Sequence, residues 1–204
     1  MSYKTHSFAS LNAFSKLLLD YLAEKPALQG FYGNGARLAN FKEQISEKKS
    51  FPSSSRAILQ TVLTEQYEAI GAEMPSMDLR DENTFTVTTG HQLNIYTGPL
   101  YVIYKLVSTI NLARALQKAY PEQRFVPVYW MATEDHDFEE INHFFAFGTK
   151  YEWTTSQKGA VGRFHLSDFP RIPLRNAIFD KAYSEGKTLS EAVRIYMHAL
   201  FGAE

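Results

Sequence analysis

Two runs of strand-forming residues, Thr84-Phe85-Thr86-Val87-Thr88-Thr89 and Phe125-Val126-Pro127-Val128-Tyr129-Trp130-Met131-Ala132, flank one long amphipathic segment, and this alternation restricts the fold more than any other feature. β-Branched and aromatic residues suit a pleated surface. Between the runs, Leu100, Ile103, Val107, Ile110, Ala113 and Leu116 recur at helical spacing. Pro99, after Gly98, is expected at the first helical position, and Pro121 closes the helix after Tyr120. Strands joined by a crossover of this length run parallel, and such crossovers are right-handed. The second run is apolar on both faces, which predicts a sheet covered on both sides with Tyr129 and Trp130 in the core.

Polar residues crowd both strand exits, which is where an open parallel sheet builds its ligand crevice. After the first strand comes Thr88-Thr89-Gly90-His91-Gln92-Leu93-Asn94-Ile95-Tyr96-Thr97-Gly98-Pro99. Gly90 has no Cβ, so the chain can turn sharply or a ligand can approach. His91 and Gln92 project at the strand edge. The helix opening near Pro99 offers free N–H groups and a positive dipole end, which favour phosphate or carboxylate. Thr89, Asn94, Thr97, Gly98 and Tyr101 are expected to line that anion site, and Lys105 to add a charge.

The second exit packs five carboxylates and one imidazole into Glu134-Asp135-His136-Asp137-Phe138-Glu139-Glu140, and His143 follows. Carboxylates sharing a site raise one another's pKa, and histidine exchanges protons near neutral pH. Asp135 and His136, directly at the exit, are therefore expected to act with His91 in catalysis, with Glu134 and Asp137 in binding. Glu139 and Glu140 read as the solvated acidic first turn of a helix. Asp135, His136, Asp137 and His143 also suit a hard or borderline cation, which leaves a metal-dependent hydrolase as an alternative. No His-Glu-x-x-His spacing is present, and no metal is assigned.

The first third of the chain reads as helical. Segment 10–24 is capped by Ser10, carries Phe14, Leu17, Leu18, Tyr21 and Leu22 on one face, and stops at Pro26. Segment 36–48 turns Leu38, Phe41 and Ile45 inward. Segment 55–70 has a stripe of Ile58, Leu59, Val62, Tyr67 and Ile70, with Gly71 placed for a left-handed helix end. Polar residues 72–83 read as a linker. Short strands are expected at 144–147 and 151–155, joined through Gly148-Thr149, and another within 159–166. The last helix, Leu189 to Phe201, opens with a capping box, Thr188 and Glu191.

Bulk properties exclude several classes. A net charge of −1 leaves no nucleic-acid footprint. The absence of cysteine removes disulfides, thiolate metal sites and thiol nucleophiles. No apolar run approaches the ~20 residues of a membrane helix, and the N-terminus shows no apolar leader, so a cytoplasmic protein without membrane partners is expected. Walker A, Gly-x-Gly-x-x-Gly and Gly-x-Ser-x-Gly patterns are all missing.

The stretch TTGHQLNIYTGPLYVIYKLVSTINLA, followed by FVPVYWMATEDHDFEEINHF, resembles the cysteine-adding enzyme family of bacillithiol biosynthesis, a family of cysteine ligases. The segments FPSSSRAILQTVL, AVGRFHL and EAVRIYMHALFG are similar to the same family more weakly. The resemblance implies an α/β fold. Residues 1–80 would form an N-terminal helical segment, and 81–204 the first part of a Rossmann-like, nucleotidyl-transferase-like catalytic core with an incomplete parallel sheet. It implies a ligase joining cysteine to the amine of glucosaminyl-malate. It also implies ATP or another adenine nucleotide as a candidate cofactor, with Gly90-His91-Gln92 at the phosphates. Full-length members are more than twice this long and pair through a coiled coil, so a homodimer is expected of the whole protein and a noncatalytic binding role is an alternative for this length alone.

Overall fold

The computed structural model describes residues 4–203, which fall into two compact units that divide between Phe51 and Pro52. The first is built from short helical pieces. A 3-10 turn, Phe8–Leu11, precedes α1 (Lys16–Leu22), and further 3-10 turns at Pro26–Phe31 and Leu38–Asn40 lead into α2 (Phe41–Lys48). The single helix expected over 10–24 is broken because Asn12 takes φ 49°, outside the right-handed region. Ser15 rather than Ser10 caps α1, its hydroxyl accepting from Leu18 N at 3.2 Å. The expected apolar stripe of α1 is not buried; Leu17 is 67% exposed. Ile45 of α2 is buried, whereas Leu38, expected inward, is exposed.

In the second unit, β1 (Thr84–His91), α4 (Leu100–Ala119) and β2 (Arg124–Met131) form the anticipated crossover. The strands are parallel and end together, with His91 opposite Met131. Pro99 takes extended angles at the cap of α4 rather than its first helical position. The buried stripe of α4 is Val102, Leu106, Ile110, Ala113 and Leu116. It shares its C-terminal half with the expected stripe, while Leu100 and Val107 stay exposed. Among the described residues one sheet face is covered, and the other is buried near Thr84 and Val126 but open toward the strand ends. Thr86 and Thr88 are exposed, and Trp130, expected in the core, is 63% exposed.

Helix α3 (Ser53–Glu68) ends in a Schellman motif. Gly71 (φ 64°) donates to Glu68 O at 2.9 Å, and Ala72 N to Tyr67 O at 3.1 Å. Its expected stripe faces water at Ile58, Leu59 and Val62, while Arg56 is buried. The Arg56 guanidinium donates to the carbonyls of Leu79 (3.1 Å), Asp81 (3.1 Å) and Thr84 (2.9 Å). Gln60 accepts from Leu79 N at 2.9 Å, and Leu79 is 1% exposed. Residues 72–83 are therefore fastened, not a loose linker.

After the short α5 (Phe138–Ile141), β3 (His143–Ala146) and β4 (Thr149–Glu152) pair antiparallel. Phe147 and Gly148 at the tip have φ 51° and 77°, as a type I′ hairpin requires. The strand expected within 159–166 is replaced by 3-10 turns, Val161–Arg163 and Leu166–Asp168. Gly162 sits so close to Thr133 that a Cβ would lie 2.7 Å from its carbonyl oxygen. Helix α6 (Ala177–Glu185), not foreseen, is capped by Asn176 Oδ1, which accepts from Ile178 N (3.0 Å) and Phe179 N (3.4 Å). Helix α7 (Leu189–Phe201) forms the Thr188 half of the expected capping box, Thr188 Oγ1 accepting from Glu191 N at 3.4 Å, while the Glu191 carboxylate accepts from Lys187 N at 2.8 Å, one residue before the cap. The core joins Leu93 and Ile95 of the β1 exit to Trp153 and to Val193 and Tyr196 of α7. It thus supports the loops at the strand ends. No described helix is long and apolar enough to cross a membrane.

Candidate functional site at the strand exits

Because β1 and β2 are neighbours with the same direction, both polar segments leave the sheet at one end. Three contacts join them. Ala132 N donates to His91 O at 3.1 Å. The Gln92 amide donates to Glu140 Oε2 at 2.5 Å, and the Asn94 amide to Glu140 O at 3.4 Å. Glu140, expected to be merely solvated, is therefore a structural partner of the His91 loop. Sequence spacing of 46 to 48 residues carries no signal for such a pair.

His91 is oriented from both ring nitrogens. Nδ1 lies 3.3 Å from Gln92 O, an acceptor, so that nitrogen carries the proton. Nε2 then accepts from Tyr101 Oη at 2.7 Å. Burial pulls the imidazole below its ordinary pKa, opposed by the Gln92 backbone bond and assisted by the Lys105 charge. The result is a neutral ring with a basic nitrogen toward α4. Lys105 donates to Gly90 O at 2.6 Å, fixing its ammonium behind the turn.

The loop from His91 to Gly98 has an unusual backbone. Tyr96, Thr97 and Gly98 all have positive φ, 52°, 69° and 60°. A non-glycine residue there costs free energy unless its surroundings hold it. Buried tyrosine hydroxyls supply the hold. Tyr129 donates to Gln92 O (3.2 Å) and His91 O (3.4 Å), Tyr196 donates to Asn94 O (2.6 Å), and Tyr183 accepts from Tyr96 N (3.0 Å). Burial pushes all three phenols up, so they remain protonated. These holders escaped a reading of the sequence because they are spread over three elements. A buried tyrosine's need for a hydrogen-bond partner is the one clue that points to them. Asn94 is 5% exposed and packs under Gly98.

At the second exit, Asp135 Oδ1 accepts from His136 N (2.6 Å) and Asp137 N (3.1 Å). Those bonds, Asp137's first, hold its carboxyl below the usual carboxylate range, and the Gln92 amide adds to them. Asp135 is thus an ionised acceptor bordering the His91 loop. His136, Asp137 and Glu134 are exposed beside it. Thr97 and Gly98 belong to the strained turn, and Tyr101 is the partner of His91. Thr89 lines a cavity on the covered face of the sheet instead of the exit. Among the described residues, no three His, Cys, Asp or Glu side chains converge as a metal site.

The arrangement offers the N-terminal end of α4 and an ionised carboxylate along one rim, with the His91 imidazole and the Gln92 amide bonded into the loop between them. It suits binding an anion beside a cationic group. Residues 1–204 match a family model described as bacillithiol biosynthesis BshC, N-terminal Rossmann-like domain. Relatives bearing the name "Putative cysteine ligase BshC" are similar along nearly the whole chain. That of Flavobacterium psychrophilum is 45% identical, covering 96% of this chain and 41% of the relative. That of Christiangramia forsetii is 42% identical with the same two coverages. That of Cytophaga hutchinsonii is 42% identical over 92% of this chain and 37% of the relative. The chain thus spans about two fifths of the length of these relatives.

Proposed function

This chain belongs to the bacillithiol biosynthesis BshC family, and from that premise we propose that its strand exits serve a ligase adding cysteine to the amine of glucosaminyl-malate. The coarser reading, a ligase-type protein of bacillithiol biosynthesis, follows the names its relatives carry. The finer one rests on the rim. The first turn of α4 holds an anionic group, a carboxylate or the phosphates of an adenine nucleotide, beside the loop that His91 and the Gln92 amide hold in shape. Asp135, ionised, pairs with the substrate ammonium and orients it. His136 takes the proton that nitrogen must lose. The nitrogen lone pair then attacks the activated cysteine carboxyl carbon. The C–N bond forms as the activating group leaves with the C–O bond electrons. A nucleotide residing at the anion end would supply that activation.

The observation that carries this reading is the Gln92–Glu140 bond, which holds the two exits side by side. The test is calorimetric titration of the full-length protein with ATP, cysteine and glucosaminyl-malate. Binding of the amine substrate that weakens about tenfold in Asp135→Asn, and of ATP that weakens similarly in His91→Ala, supports it. A folded full-length protein that binds none of the three overturns it.

A further inference from the structure

Within residues 52–204 lies a cavity of about 190 Å³ that His91, Gln92, Asp135 and His136 do not line. It sits on the covered face of the sheet, against α3, α4 and α7. Leu106, Ile110, Met197 and Phe201 make much of its wall apolar. A cavity of about 150 Å³ with such a lining accommodates benzene, so the space matches a molecule of one ring or a branched chain. Its polar part is cationic. Arg194 of α7 lines it, half-buried, and forms no ion pair or hydrogen bond among the described residues. Glu191, one turn back, directs its carboxylate to Lys187 N. His198, one turn on, meets the Tyr67 ring edge-on at 5.5 Å, and its Nδ1 is buried without a hydrogen-bond partner. Burial lowers the Arg194 guanidinium pKa, and the nearby Glu191 carboxylate and Tyr67 phenol only partly offset it.

We propose that this cavity is a binding site for a small carboxylate with an apolar body, its carboxylate on Arg194 and its body between Ile110 and Met197. An unpaired guanidinium at the edge of an apolar chamber selects an anion over a neutral molecule of the same shape, because a planar carboxylate meets it through two hydrogen bonds. The site is independent of the strand-exit reading and survives if that reading fails. Tyr129 links it to the exits, lining the chamber while its hydroxyl holds the His91 loop, and Thr89 and Met131 at the strand ends line it as well.

The probes are benzoate and benzyl alcohol, titrated into the intact chain by calorimetry and followed by NMR. Benzoate is expected to bind more tightly than benzyl alcohol and to show nuclear Overhauser contacts with the Ile110 and Met197 methyls. Arg194→Gln is expected to weaken benzoate about tenfold and leave benzyl alcohol unchanged, with Arg194→Lys in between. Equal affinity for both probes, no benzoate binding, or unchanged benzoate binding in a folded Arg194→Gln overturns the proposal. Should that variant fail to fold, missing contacts between benzoate and the two methyls in the parent chain overturn it equally.

Discussion

Single side chains at the His91 loop make separable predictions. Burial sets the folded pKa of His91 below its ordinary value. The unfolded chain therefore binds more protons as pH falls through about 6.5, and stability is lost from there toward the folded pKa while being intact above. Replacing His91 with Gln removes that source of acid sensitivity. Urea midpoints at pH 7.5 and 5.5 are expected to fall less in His91→Gln than in the parent; equal falls would refute the linkage. Asp135 acts in a lower window, because its depressed folded pKa stabilises above about pH 4 and the benefit goes as pH drops below that. Gly98 is constrained twice, by φ 60° and by Asn94 Cβ only 2.5 Å from where a Cβ would stand. Gly98→Ala is expected to cost more than about 2 kcal/mol by denaturant unfolding. Gly30, with nothing within 4 Å of its would-be Cβ, is the control; Gly30→Ala should stay within about 0.5 kcal/mol.

Elements owe their positions to a few buried polar groups. The Tyr196 hydroxyl bridges α7 to the β1 exit through Asn94 O. Tyr196→Phe strands a buried carbonyl and is expected to cost about 1–3 kcal/mol, with faster amide exchange between Asn94 and Gly98; unchanged exchange would show that the loop holds its shape without that bond. The crossover was legible because 20 residues of α4 repeat one apolar period between two β-branched runs. The hairpin was legible because Gly148 supplies a left-handed position between two short aromatic runs. The first helix was misjudged because its apolar spacing is helical while Asn12 leaves the right-handed region. Arg56 illustrates the other limit. A charged residue on a polar helix face reads as solvent-facing, and only tertiary structure reveals the three carbonyls it serves. The site was half legible in the same sense. His91 and Asp135 follow from strand order, whereas Glu140 and the tyrosine holders depend on contacts between distant segments.

At the scale of the molecule, the β1–β2 sheet has one face covered and the other open toward the strand ends among the described residues, and each strand pairs only with the other. Apolar character in β2 reports what the strand tends to bury, not which neighbour does it, which is why Trp130 seemed a core residue. An exposed indole beside unpaired strand edges favours association. The two tryptophans report on this separately, since Trp153 is 0% exposed and Trp130 is 63% exposed. In a Trp153→Phe variant, Trp130 emission is expected to be red-shifted and readily quenched by iodide at low protein concentration. It should then shift to the blue and resist quenching as concentration rises, in step with a larger sedimentation coefficient. Trp130→Lys in the parent chain should suppress that increase, because a charge on the open face opposes pairing with a second copy. A chain that sediments as a monomer throughout, with Trp130 always open to iodide, would mean that the polar Thr86 and Thr88 beside the indole are enough to keep this face in water.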